Sequence, residues 1–175
     1  MSGHDHRPRL AMYRSTDAVT LNLGDEIVHL EPATPADRGR AERLVRDNMR
    51  PSLKQVGVAW RPRLFREGYA EADNYRLMAG QTLVGFLSLN YTATHAYLRE
   101  LQLVPAYRRR GIGSWLLREV ERLARHRRLD RIRLRVLKNS PALDLYRRHG
   151  YRVAIEENAT LGMEKTLGTG APNAR

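Results

Sequence analysis

The stretch Arg108-Arg109-Arg110-Gly111-Ile112-Gly113-Ser114 has the residue types of an anion site. It follows a strand-like run stopped by Pro105 and leads into a strongly amphipathic segment, Ser114 to Arg128. A helix that opens there leaves its first N–H groups without intrahelical partners and presents the positive end of its dipole. Gly111 and Gly113 lack a Cβ, so a pyrophosphate can approach the main chain closely. Arg108, Arg109 and Arg110 add charge, and a guanidinium grips phosphate oxygens through paired donors. The plainer reading is a solvated basic turn before an ordinary helix, because short glycine motifs recur by chance.

A second block, Asn139-Ser140-Pro141-Ala142-Leu143-Asp144-Leu145-Tyr146-Arg147-Arg148-His149-Gly150-Tyr151, follows another strand-like run, Arg131 to Leu137. Ala142, Leu145 and Tyr146 share one face of a short helix, and Gly150 suits the left-handed position beyond its end. Alone, Tyr146 reads as a core aromatic. Together and in this order, the two blocks resemble the GNAT superfamily of acyl-CoA-dependent N-acetyltransferases. Arg108, Gly111 and Gly113 match the family's Gln/Arg-x-x-Gly-x-Gly/Ala, preceded by the aliphatic positions Leu101 and Leu103 and by Pro105. Asn139, Ala142, Leu145, Tyr146, Gly150 and Tyr151 match its later Asn-x-x-Ala-x-x-Leu-Tyr-x-x-x-Gly-Phe/Tyr. The resemblance covers roughly residues 75 to 166.

What the resemblance implies is direct transfer of an acetyl group from acetyl-CoA to an amine, without a covalent enzyme intermediate. Pantetheine would pair with the edge of the central strand at Leu101, Gln102 and Leu103, a form of strand addition. The pyrophosphate would rest on Arg108, Arg109, Arg110, Gly111, Ile112, Gly113 and Ser114. The Leu103 N–H is the nearest match to the family's oxyanion donor. Tyr146 is the family-matched acid for the leaving thiolate, and Asn139 matches a position that hydrogen-bonds the pantetheine arm. The general base is less defined. Some relatives carry a glutamate where this chain has Arg135; Glu100 is the best candidate, with His95 and Tyr97 as alternatives or a water chain in place of a side chain. The acceptor pocket is expected from residues 48–66 and 91–97, lined by Trp60, Tyr91, His95 and Tyr97. Arg61 and Arg63 near Trp60 favour an acceptor bearing a carboxylate or phosphate, and a polyamine fits only if a local acidic pocket exists.

To position these groups the chain needs an α/β fold. The resemblance implies a mixed, mostly antiparallel sheet of six to seven strands with a splayed parallel central pair, flanked by about four helices. Residues 1–24 read as a polar extension with a possible extra strand near 18–23, residues 25–167 as the catalytic domain, and residues 168–175 as a disordered tail. A helix is expected from Pro35 to about Met49, then a loop or broken helix through Pro51 and Gly57, then a second helix near residues 60–70. Strands are expected at about residues 74–78 and 82–90, joined at Gly80-Gln81. Further strands fall at about 97–104, 132–137, 151–156 and 161–166.

The 175 residues form one domain with a sizeable core. The absence of cysteine removes disulfides, thiolate metal sites and a cysteine nucleophile. His4 and His6 lack a fixed third ligand, so no metal is expected. The start lacks the apolar core of a signal peptide, and no run approaches the ~18 apolar residues of a membrane helix, so a cytoplasmic protein is expected. Of the formal net charge of +12, residues 99–149 hold 15 Lys/Arg against 5 Asp/Glu. That field attracts the phosphates of CoA but exceeds what CoA needs. Two other readings stay open: a noncatalytic CoA-sensing or interaction module on the same fold, and a nucleic-acid or ribosome-associated protein, for which no RNA-binding motif is found. A homodimer is plausible for the fold, with no interface signature in the sequence.

Overall fold

The computed structural model describes residues 19–168. His4, His6 and the tail beyond Gly168 lie outside the described residues. The strands are β1 (Val19–Leu23), β2 (Glu26–Pro32), β3 (Asp73–Ala79), β4 (Thr82–Tyr91), β5 (Ala96–Leu103), β6 (Arg131–Leu137), β7 (Arg152–Glu156) and β8 (Thr160–Thr166). The helices are α1 (Arg38–Gln55), α2 (Pro62–Glu71), α3 (Ile112–His126) and α4 (Leu143–Arg148). One sheet runs in the order β1-β2-β3-β4-β5-β6-β8-β7, and only β5 and β6 pair in parallel. The expected mixed sheet and four helices are present. The sheet has eight strands because the possible extra strand is real: β1 pairs with β2 from Val19↔Leu30 to Leu23↔Glu26, across a turn where Gly24 takes φ 74°.

Sequence periodicity explains which faces are covered. In α3, Ile112, Trp115, Leu116, Val120, Leu123 and Ala124 are buried against Leu98, Ile132 and Leu134 of the sheet. The other face carries a smaller core, in which Ala41, Leu44 and Val45 of α1 meet Phe65 of α2 and Phe86 of β4. α4 lies beside α3 and buries Leu143 and Tyr146. Gly150, after its end, takes φ 83° as anticipated.

α1 departs from expectation by continuing through Pro51 to Gln55. Proline removes one i→i−4 hydrogen bond, normally a cost of about 3 kcal/mol. Here tertiary ties hold the final turn: Asn139 Nδ2 donates to the Ser52 carbonyl at 3.2 Å and to Gln55 Oε1 at 2.7 Å.

The approach to α1 is fixed by Asp37, whose side chain is 2% exposed. Its carboxylate accepts from the Thr34 N–H, Thr34 Oγ1, Arg40 and Arg76. Burial acts to raise its pKa, but these donors prevail and bring it from 3.8 to about 2. Asp37→Ala removes a capping box and one of the two acids on Arg76, which keeps Glu31 at 2.9 Å, so it should cost about 2 kcal/mol at neutral pH, read by denaturant unfolding. Because the folded pKa is depressed, wild-type stability from this group is complete above pH 4. It is lost as pH falls toward 2, where the gap between wild type and variant should narrow.

Candidate active site

The parallel pair stays together for three residues: Ala96↔Ile132, Tyr97↔Arg133 and Leu98↔Leu134. Beyond Leu98 the two strands separate. On the other side of β5, Ser88 pairs with Glu100 and Leu89 with Leu98, so Arg99 is an extra residue, a β-bulge. The bulge also reverses the alternation of faces. Leu98 faces the α3 core, but beyond Arg99 it is Leu101 and Leu103 that pack toward that core. Glu100 and Gln102 therefore turn to the α1 side. Arg99 itself extends over α2, where its guanidinium fills the space a Cβ on Gly68 would need.

The splay opens a cleft of about 840 Å³. Its walls include Asn48, Met49, Ser52 and Leu53 of α1, Tyr97 and Arg99 to Leu103 of β5, Arg108, Arg109, Gly111, Gly113 and Ser114 at the mouth of α3, and Ala142, Leu145, Tyr146 and Arg148 at α4. The carboxyl half of β5 and the mouth of α3 thus lie along one trough, although the connecting turn is between them in sequence.

The unbonded edge of β5 faces this trough. Val104 N–H bonds to the Val84 carbonyl on β4, and the Gln102 carbonyl lies toward Gly85. By alternation, the main-chain groups of Leu101 and Leu103 point the other way, to the free edge. The Leu103 carbonyl accepts from Asn48 Nδ2 at 2.9 Å and from Arg108 Nε at 3.3 Å. That leaves the Leu103 N–H directed along the same side.

At the mouth of α3, Arg109 (φ 58°) and Gly111 (φ 80°) are both left-handed. The first main-chain bond of the helix runs from Trp115 N–H to the Gly111 carbonyl. Residues 109–114 donate no N–H to any protein acceptor among the described residues. Alternating left- and right-handed residues with free amides form an anion-binding concavity. A Cβ on Gly111 would meet nothing within 4 Å, whereas one on Gly113 would sit 2.9 Å from Leu145 Cδ2. Gly111 therefore borders the trough, and Gly113 lets α3 and α4 approach each other.

The three arginines have different fates. Arg108 bridges to Asn48 Oδ1 at 2.7 Å and to the Leu103 carbonyl. Arg110 turns away from the cleft to Glu26 at 3.3 Å and over the Tyr107 ring, which corrects the expectation for its side chain. Arg109 lines the cleft with no ion-pair partner among the described residues, as does Arg148. Much of the remaining positive excess is paired: Arg127 with Asp73, Arg133 with Glu164, Arg135 with Glu157 and Lys138 with Glu156. These acids all come from outside residues 99–149, so part of the charge of that segment is paired within the fold.

Glu100 lies at the open end of the splay. It accepts from Gln102 Nε2 at 3.0 Å, and Gln102 Oε1 in turn accepts from Asn48 Nδ2 at 3.0 Å. Removal from water raises the Glu100 pKa from 4.5 to about 7, with Gln102 and Arg99 pulling it back. Tyr146 is 7% exposed. Burial pushes its phenol above the usual range, and the charge of Glu100 pushes it further. Its hydroxyl has no hydrogen-bond partner among the described residues, and its ring meets Tyr151 edge-on at 5.7 Å. Ser114 Oγ, also on the cleft, is 2.9 Å from His149 Nε2.

Other expected residues fall elsewhere. Asn139 braces the end of α1 and does not line the cleft. Tyr91 lies under the Arg127 guanidinium at 3.8 Å, and His95 Nδ1 is 3.0 Å from both Thr92 and Thr94 hydroxyls. Both lie beside the amino end of β5, away from the splay, and neither lines the cleft. Trp60 packs on Phe65 outside the cleft; Tyr97 alone of the four lines it. Asn48 was missed. Its signal is a polar residue continuing the stripe Ala41, Leu44, Val45 within the expected helix.

No described group of three or more His, Cys, Asp or Glu is placed to hold a metal ion. No described helix is long and apolar enough to cross a membrane. Residues 42–151 match the model of the "Acetyltransferase (GNAT) family". The chain is 34% identical over 88 residues to a spermidine N(1)-acetyltransferase of Thermoplasma acidophilum, covering 50% of this chain and 55% of that protein. It is 36% identical over 80 residues to a thialysine N-epsilon-acetyltransferase of Sus scrofa, covering 45% and 47%. The matched stretch spans about half the length of these curated relatives. Among solved structures, the PaiA N-acetyltransferase of Thermoplasma acidophilum in complex with coenzyme A superposes with a TM-score of 0.67 at 23% identity, over 79% of this chain and 98% of that one.

Proposed function

This chain belongs to the acetyltransferase (GNAT) family, and from that premise we propose that it moves the acetyl group of acetyl-CoA directly onto a primary amine, both substrates being held at once in the splayed cleft. The observation that carries the reading is the trough itself. Free amides of residues 109–114 stand at one end, an unbonded strand edge runs along it, and both Glu100 and Tyr146 line it.

The diphosphate of acetyl-CoA rests on those amides, with Arg109 and Arg148 neutralising it. Pantetheine pairs with the free edge at Leu101, and the Leu103 N–H stabilises the developing oxyanion. The amine nitrogen attacks the thioester carbon, the C–N bond forms and the C–S bond breaks. Glu100 takes the amine proton, and Tyr146 donates its own to the departing sulfur. The two steps are linked electrostatically. While Glu100 is charged it opposes ionisation of Tyr146; once protonated it no longer does. Base action thus readies the acid. The cytoplasm is the compartment we assign to this chemistry.

Acetyl-CoA consumption against a panel of primary amines tests the reading, with thiol release as the signal. CoA binding without turnover of any amine would replace it by a noncatalytic CoA-binding module. With an acceptor in hand, kcat/KM should rise with pH through about 7 as Glu100 deprotonates. That limb is separable from the acceptor ammonium, which titrates near pKa ~10.4. Glu100→Gln should remove the limb and lower the plateau by about 10²-fold or more. A limb retained in the variant would assign proton removal to water or another group.

A further inference from the structure

Arg46, Arg50 and Lys54 recur every four residues along α1 and so stand in one row on its surface. The chain leaving α1 turns back beside them, and Leu53, Val58 and Trp60 complete a groove of about 640 Å³. All three cations are exposed. Arg46 pairs with its neighbour Asp47, while Arg50 and Lys54 have no acidic partner among the described residues. Val58 is 42% exposed, and the buried Trp60 Nε1–H has no acceptor among the described residues. Groove and cleft meet at Leu53, which lines both. Asn48, at the transfer site, and Lys54, at the end of the groove, are about 9 Å apart along the helix at 1.5 Å per residue.

An apolar floor beside the two uncommitted cations Arg50 and Lys54 is complementary to an extended chain carrying carboxylates. Resting on the acetyl-transfer reading above, we propose that the acceptor is a peptide or protein amine flanked by acidic residues. These residues lie along Arg50 and Lys54 while the amine passes Leu53 into the cleft. A small polyamine fills none of this groove and is repelled by it.

Two blocked peptides with a single lysine test this, identical except that the residues around the lysine are glutamate in one and glutamine in the other. Spermidine is the third acceptor. Calorimetry in the presence of CoA should show the glutamate peptide binding about tenfold more tightly, a margin that shrinks with added salt. The double variant Arg50→Glu, Lys54→Glu should erase the margin and leave CoA affinity as it was. Equal binding of the two peptides, a margin that persists in the double variant, or a preference for spermidine overturns the proposal. Selective peptide binding with no amine acetylated leaves the groove standing and brings down the transfer reading. Equal turnover of all three acceptors does the reverse.

Discussion

Gly111→Asp is expected to weaken CoA binding at least about a hundredfold, measured by calorimetry on the folded variant. Two effects contribute, and a control separates them. At φ 80° any L side chain is strained by about 1–2 kcal/mol. Gly111→Ala carries that strain alone, since its Cβ meets nothing within 4 Å. The aspartate adds a like charge beside the diphosphate. At about 5 Å and an effective dielectric near 20 this is about 3 kcal/mol, roughly a hundredfold in affinity. If the aspartate variant binds CoA as the alanine variant does, the diphosphate does not lie at the mouth of α3. Gly113 gives no such readout, because any side chain there first collides with Leu145.

Tyr146→Phe is expected to lower kcat by about 10²–10³-fold while CoA affinity changes little, since general acids contribute on that scale. The ring is retained, and with it the edge-on packing against Tyr151. Only a hydroxyl without a protein hydrogen-bond partner among the described residues is removed, so stability should fall by no more than about 1 kcal/mol. Pre-steady-state thiol release should slow as much as steady-state turnover. Undiminished kcat would mean that sulfur departs unaided and takes its proton from water.

Some of this was legible in the sequence because it is local. Free amides at a helix start, a left-handed glycine and an amphipathic stripe follow from neighbouring residues, so the mouth of α3 and the face of Tyr146 were readable. Arg108, Arg109 and Arg110 looked equivalent. They differ because Asn48 and Glu26, 60 and 84 residues away, engage the first and third. Tyr91 and His95 looked well placed since they precede the central strand. The ladder to β6 closes the sheet at that end, and the cleft opens only past Leu98.

By itself the sequence determined the order of elements through short-range periodicity, and its two motifs carried the resemblance that implied the family and the mixed sheet. Tertiary structure decided the rest. It set the bulge at Arg99 that turns Glu100 toward α1, kept α1 helical beyond Pro51 so that Ser52 and Gln55 meet Asn139, and paired the arginines with remote acids. The reason is physical: desolvation and long-range pairing depend on which surfaces meet, and no residue carries that information in its immediate neighbours.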